Sequence, residues 1–259
     1  IFGGEPIRRE PFPAWPRITE EMKKSLIHTF EEEEWGVGSK TITLFNEQFA
    51  TMQDAKYCLS IHSGTSAIWI CLKAAGIEAG DEVILPSYTF IATATAVVLA
   101  NAVPVFADID KKTANLDPTS VEKLITNKTK AIIPVHTAGA PADMKAFLGI
   151  SEKYNIPIIE DAAHALGSKY DKNNMVGSCK YSDLTVFSFH PVKILAGGEG
   201  GIITTNDKKL YQILISLRSH GIRKDGIINN ISVGTSKNIK NIWYYEMSKL
   251  GFHYRQTDI

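Results

Sequence analysis

Short apolar runs rich in β-branched residues recur along the second half of the first hundred residues and beyond. They fall at Tyr57–Ile61, Glu82–Leu85, Val103–Ile109, Ala131–Val135, Ile156–Glu160, Leu184–Ser188 and Gly201–Thr205. Runs of that length and composition predict strands. Helical patterns lie between several of them, at Thr65–Ala75, Ala92–Ala100, Ser120–Ile125, Ala142–Tyr154 and Lys208–Ser219. Strands alternating with helices predict an α/β fold, a three-layer α/β/α arrangement around a mainly parallel seven-stranded sheet covered on both faces.

Upstream of the first strand the pattern changes. Residues 1–17 carry Pro6, Pro11, Pro13 and Pro16 with Gly3 and Gly4, which predicts an arm lying on another surface. Thr19–Glu34 is helical in pattern, with Met22, Leu26 and Phe30 at i, i+4 and i+8, and Phe45–Asp54 predicts a second helix. Past Gly221 the pattern loosens through Asn229, Asn230 and Gly234, which predicts a mobile loop. The sequence starts without a methionine and stops at Ile259, so the expectation is a piece of a longer chain.

Composition narrows the function classes. At 259 residues and 44% hydrophobic, the chain can bury one large core or two smaller ones. Lysine plus arginine equal aspartate plus glutamate at 28 each, so no field of one sign draws it to nucleic acid or membrane. No apolar run is long enough to cross a bilayer. Cys58, Cys71 and Cys179 match neither a disulfide framework nor a zinc site, so no metal and a reducing cytoplasm are expected.

Ligands of such sheets bind beyond the carboxyl ends of the strands, so the residues just past each strand end matter most. After the first strand come His62, Ser63, Gly64, Thr65 and Ser66, opening a helix. Free N–H groups, hydroxyls and the positive end of the helix dipole suit a phosphate, although a plain N-cap needs one of those hydroxyls. After the second come Tyr88, Thr89 and Phe90, which either stack on a flat ring or belong to the core. After the fourth comes His136, which reads as a hydrogen-bonded structural histidine rather than a catalyst. The fifth delivers Asp161 and His164. A carboxylate there needs a donor or a cation, as a cap on the next helix or as the partner of a ring nitrogen.

After the sixth strand come Ser188 and Lys193, the only lysine or arginine between Tyr181 and Lys208, and then Gly197, Gly198, Gly200 and Gly201. Taken alone, Lys193 is either a surface lysine on a tight loop or a Schiff-base lysine. Together, a phosphate cradle, a stacking aromatic, an acid and a lysine match the parts of pyridoxal 5′-phosphate.

Several strings then carry a family resemblance: SGTSA, GDEVILPSYTFIATA, PVFADID, KAIIPVH, IEDAAHALGS, FSFHPVK, GEGG and GFHYR. With them the chain, from Trp35 to Ile259, resembles the DegT/DnrJ/EryC1/StrS sugar aminotransferases of the fold-type-I pyridoxal-phosphate superfamily. The resemblance implies an aspartate aminotransferase-like large domain over residues 35–259, preceded by an arm and helix over residues 1–34. The family's C-terminal small domain has no counterpart in the sequence.

By the same resemblance Lys193 forms the Schiff base and moves the proton, Asp161 pairs with the ring nitrogen, and His164 lies near the ring hydroxyl. Phe90 stacks on the ring, and Gly64, Thr65, Ser66 and Ser188 bind the phosphate. The string GFHYR puts His253 where relatives carry an asparagine that contacts the cofactor phosphate of the partner subunit. That implies a homodimer with shared active sites.

Where relatives read VHLYG this chain reads VHTAG, which removes a large aromatic at Ala138. The implied activity moves an amino group from glutamate or glutamine to a keto-sugar substrate. The strings FSFHPVK and EDAAHALG resemble enzymes acting on nucleotide-linked keto-hexoses, whereas the proline-rich arm resembles enzymes acting on keto-inositols. Some relatives carry a histidine in place of the lysine and are dehydratases, and Lys193 argues against that branch.

Overall fold

The structure is a computed structural model and describes residues 3–33, 35–36, 38–223 and 245–259. Two helices come first, α1 (Glu20–Glu31) and α2 (Lys40–Gln53). Thr19 caps α1 and Ser39 caps α2, each side-chain oxygen accepting a backbone N–H of the first turn. The cap at Ser39 starts α2 five residues before the expected Phe45. Strand and helix then alternate: β1 (Tyr57–Ile61), α3 (Gly64–Ala74), β2 (Glu82–Pro86), α4 (Ala92–Leu99) and β3 (Val103–Ala107). They continue through α5 (Pro118–Leu124), β4 (Thr129–Ile132), α6 (Met144–Tyr154), β5 (Ile159–Asp161), β6 (Leu184–Ser188), β7 (Gly201–Thr205) and α7 (Lys208–Arg218).

The strands pair as a four-stranded sheet, β1-β7-β6-β5, and a three-stranded sheet, β3-β2-β4, the latter with a register shift between β2 and β4 at Glu82–Val83. The expected seven-stranded sheet is therefore met only in part. Between the two sheets lie isolated parallel bridges, Ile132 with Ile158 and Val135 with Asp161. Pro134 and Pro157 sit at this seam. Each offers a carbonyl, to Asp161 N and Ile132 N respectively, but neither has an N–H to return. The same prolines end β4 at Ile132 and delay β5 to Ile159, where unbroken runs were expected. The pairs β2–β3, β2–β4 and β5–β6 are parallel, and β7 runs antiparallel to both β1 and β6.

Alternation along the strands sorts side chains to two faces. Val83, Leu85, Ile159, Val186 and Ile203 pack with α3, α4 and α7, whereas Ile84, Ile132 and Ile158 pack with Phe147 of α6. Cys58, Phe187 and Ile202 turn to a third cluster with Phe49 of α2. Both faces are covered, which gives three layers. Helix α3 buries eight of its eleven residues, so it is apolar nearly all round, as an internal helix must be. Helix α1 buries none, and its stripe of Met22, Leu26 and Phe30 is exposed.

The expected loop past Gly221 falls mainly on residues 224–244, outside the described residues. On either side of them β8 (Ile222–Arg223) pairs antiparallel with β9 (Glu246–Met247). Residues 248–259 carry no helix; instead they run back over α7, with Phe252 N bonded to Leu217 O and Tyr254 N to Arg218 O.

One close approach sets the edge where ligands are expected. A β-carbon on Gly201, at the start of β7, would lie 2.7 Å from the Ser63 carbonyl carbon and 2.8 Å from Gly64 N. Only glycine lets β7 press against the turn between β1 and α3. Gly201→Ala should lower the unfolding free energy by about 1–3 kcal/mol. The check is a fall in the urea midpoint at unchanged slope, and an unshifted midpoint would show that the turn yields freely.

Candidate active site

A cavity of about 640 Å³ opens at that edge, within the range of roughly 300–1,000 Å³ common for small-molecule sites. Its floor at one end is the N-terminus of α3. Ser63 is the N-cap, its Oγ accepting Ser66 N at 3.3 Å and lying 2.8 Å from Ser66 Oγ. The N–H groups of Gly64 and Thr65 come earlier in the helix than any intrahelical acceptor can reach. Ser63, Gly64, Thr65 and Ser188 line the cavity here. A β-carbon on Gly64 would come within 3.0 Å of Ser188 Cβ, so the two walls of the cradle nearly touch. Orphan donors, hydroxyls and the dipole of an eleven-residue helix make this end fit for a phosphate.

Asp161 ends β5 on the face that packs against α3 and α4. It is 6% exposed. Its Oδ2 accepts Thr93 Oγ1 at 2.9 Å and its Oδ1 accepts Ala163 N at 3.2 Å. Among the described residues no lysine or arginine forms an ion pair with it. No helix comes directly after Asp161, so it caps a turn rather than the helix considered from sequence. A buried carboxylate with two neutral donors and a cavity in front of it is short of a cation. A protonated ring nitrogen would supply one.

Lys193 stands on a loop closed at its base by Phe189, whose N–H donates to Gly200 O and whose carbonyl accepts Gly197 N, both at 2.8 Å. Within the loop Lys193 N donates to His190 O at 2.8 Å. From outside, the arm reaches the same loop, Trp15 Nε1 donating to Pro191 O at 2.7 Å. His164 completes the wall near Lys193. Loss of solvent, then the Lys193 charge, holds the His164 ring below its ordinary pKa, and the Asp161 carboxylate opposes both.

Gly64, Thr65, Phe90, Asp161, His164, Ser188 and Lys193 thus border one cavity. Phe90 is 70% exposed and Tyr88 61%, so neither is a core aromatic. Ser66 is not brought to the cavity; its hydroxyl turns to Ser63 and to His62 Nδ1 at 3.1 Å. His253 is also outside it, exposed, with its backbone bridged to Ser219 and its ring 5.9 Å from that of His220. Its neighbour Tyr254 stacks on His62 at 4.9 Å and accepts His62 N, tying this segment to the cradle. Sequence reasoning missed Thr93, which bonds the acid, and Glu199, which borders the cavity. The threonines of FIATATA and the charge within GEGG were the available signals.

Comparison with known proteins decides the family. The model of the DegT/DnrJ/EryC1/StrS aminotransferase family matches residues 16–253. The chain belongs to that family. The DegT/DnrJ/EryC1/StrS aminotransferases are pyridoxal-phosphate dependent.

One relative is the spore coat polysaccharide biosynthesis protein SpsC of Bacillus subtilis. It is 38% identical over 94% of this chain and 60% of its own length. Another is the L-glutamine:2-deoxy-scyllo-inosose aminotransferase of Micromonospora echinospora, 37% identical over 87% of this chain and 53% of that one. Among solved structures, the aminotransferase from Psychrobacter cryohalolentis superposes with a TM-score of 0.85 at 33% identity, covering 96% of this chain and 61% of that one. The chain therefore spans less than two thirds of the length of these relatives, and its fold is the α/β fold-type-I architecture.

The coupling between His164 and Lys193 is testable without cofactor. Removing the lysine charge in Lys193→Ala should raise the titration midpoint of the His164 ring, because a nearby cation disfavours imidazolium. The midpoint should stay below the ordinary imidazole value, since the loss of solvent remains. NMR of the ring protons against pH reads this, and an unmoved midpoint would mean that the two groups do not feel each other.

Proposed function

We propose that the protein is a pyridoxal-phosphate-dependent aminotransferase that moves an amino group from glutamate or glutamine to the keto group of a nucleotide-linked sugar. The observation that carries this reading is Asp161, a buried carboxylate with no lysine or arginine ion pair among the described residues, facing a cavity that Lys193 also lines. Thr65, Gly64 and Ser188 would hold the phosphate, and Phe90 would cover the ring. Asp161 would hold the proton on the ring nitrogen. Lys193 would attach to the cofactor's aldehyde carbon and, when released by the amino donor, would carry the proton at the substrate's α-carbon. When bound, the cofactor supplies a cationic ring that accepts the electron pair left at that carbon.

In this reading the two sheets are halves of one seven-stranded sheet, in a large domain over residues 35–259 with the arm and helix of residues 1–34 in front. The protein works as a cytoplasmic homodimer with shared sites. His253, outside its own cavity and exposed, then contacts the phosphate of the partner subunit, as a ring N–H donor. A second acceptor class, a keto-inositol, is supported by the name and similarity of the Micromonospora echinospora relative. Isotope-labelled glutamate and glutamine, each offered with a nucleotide keto-hexose and with a keto-inositol, separate the two by which product carries the label.

Lys193→Ala tests the core of the proposal. The unmodified protein incubated with pyridoxal phosphate should develop a visible absorption band that borohydride bleaches, with the cofactor mass fixed on Lys193. The variant should lack both, and transamination should fall by at least ~10²–10⁴-fold. Turnover by Lys193→Ala at near the unmodified rate would refute the assignment.

A further inference from the structure

Directly beside Asp161, on the opposite face of β5, lies Glu160, which is wholly buried. Four side chains give it hydrogen bonds. Its Oε1 accepts Thr185 Oγ1 at 2.8 Å and the hydroxyl of Ser182; its Oε2 accepts His136 Nε2 at 2.7 Å and the hydroxyl of Tyr170. His136 Nδ1 accepts the backbone N–H of Ala142 at 3.1 Å, so the ring proton sits on Nε2 and points at the carboxylate. Burial pushes the Glu160 pKa up, and the His136, Ser182 and Tyr170 donors together outweigh it, leaving the group below its ordinary value. Four donors fill the acceptor capacity of one carboxylate.

The donors come from different parts of the fold. Thr185 is the residue paired with Glu160 across β6, Ser182 and Tyr170 sit on the connection between β5 and β6, and His136 lies past the end of β4. His136 also grips Asp161 itself, its backbone N–H donating to Asp161 O at 3.1 Å, while Asp161 N donates to Pro134 O at 2.9 Å. The seam between the two sheets is the place where the ladder is broken by prolines, and Asp161 stands on it. Backbone bonds hold Asp161 across the seam, and the Glu160 side chain ties the same strand end to β6 and to the connection that precedes it.

We propose that Glu160 is a positioning residue for the ring nitrogen of the cofactor. Clamped by His136, Ser182, Thr185 and Tyr170, it fixes the direction in which Asp161 presents its carboxylate to the cavity. The inference rests on the reading of Asp161 given under Proposed function. Glu160→Gln keeps the volume but cannot keep the clamp. An amide has one acceptor oxygen and turns two N–H groups toward donors.

The test compares affinities for pyridoxal phosphate and for its deaza analogue, which has a carbon in place of the ring nitrogen. The unmodified protein should prefer pyridoxal phosphate, and Asp161→Asn should abolish the preference. Glu160→Gln should cut the preference by about tenfold, equal to one pK unit of lost interaction with the ring proton, through weaker binding of pyridoxal phosphate alone. A merely structural glutamate would weaken both ligands equally and leave the ratio unmoved. Should circular dichroism show Glu160→Gln unfolded, Tyr170→Phe removes one donor from the clamp and should lower the ratio in the same direction, by about threefold.

A ratio unchanged in the folded Glu160 or Tyr170 variant, with Asp161→Asn collapsed, overturns the positioning role and leaves the proposed function standing. No preference in the unmodified protein, or no binding of either ligand, overturns the role of Asp161 and this inference with it.

Discussion

A carboxylate taken out of water must be given donors or a cation, and β5 ends with two of them in succession. Glu160 is satisfied within the protein, by four donors on the α6 side of the sheet. Asp161 receives two neutral donors on the other side and faces a cavity. The period of two along a strand makes this division automatic, since neighbouring residues cannot share a face. One strand end therefore carries a finished structural group and an unfinished chemical one, about 3.8 Å apart along the backbone by the fixed spacing of a trans peptide. The remaining pieces of the site converge on the unfinished side. Helix α3 brings its N-terminus, α4 brings Thr93, and the loop between β6 and β7 brings Lys193.

That convergence depends on β7 running against its neighbours. Because β7 is antiparallel to β6, the connection between them can be a short loop at the same edge rather than a crossover. The loop thus stays where the cradle is, and its lysine cannot be carried to the far edge of the sheet. The contact of Gly201 with Ser63 and Gly64 then fixes the distance between loop and cradle. Geometry of this kind is set by backbone packing, which is why glycine rather than any polar residue marks it.

Much of this was legible in the residues. Tyr57–Ile61, Leu184–Ser188 and Gly201–Thr205 are strands at the residues expected, because each is a proline-free run rich in apolar and β-branched residues and buried along most of its length. The seam between the sheets was not legible. Ala131–Val135 and Ile156–Glu160 look like equal strands in composition, and only pairing reveals that Pro134 and Pro157 meet there. Among site residues, the carboxylate and the lysine stood out as charges in apolar surroundings. Glu160 carried the same signal, as a charge after the four isoleucine or proline positions 156–159, yet its proposed role depends on Tyr170, Ser182 and Thr185, which only the fold brings to it. Ser66 shows the opposite error. Its place in the motif suggested a ligand contact, but hydroxyls at i and i+3 on a first turn satisfy each other.

Exposure removes one of the two readings that composition left open for the aromatic residues. A ring that serves the core is buried, whereas a ring meant for a planar ligand must keep a face free until the ligand arrives. Phe90 at 70% and Tyr88 at 61% exposure, both bordering the cavity, are not core rings, as the proposed stacking role requires. Near them in sequence Ile91, Val98, Leu99 and Phe106 are also exposed, so apolar surface extends over α4 and β3 beyond the cavity's own wall. A patch of this composition is the kind that a second protein surface covers. His253 leads to the same requirement from a different direction. It stands outside the cavity of its own chain, so any contact it makes with a bound phosphate has to be made in another chain's cavity. The proposed role of His253 and the proposed homodimer are therefore one hypothesis rather than two, since the first has no geometry without the second.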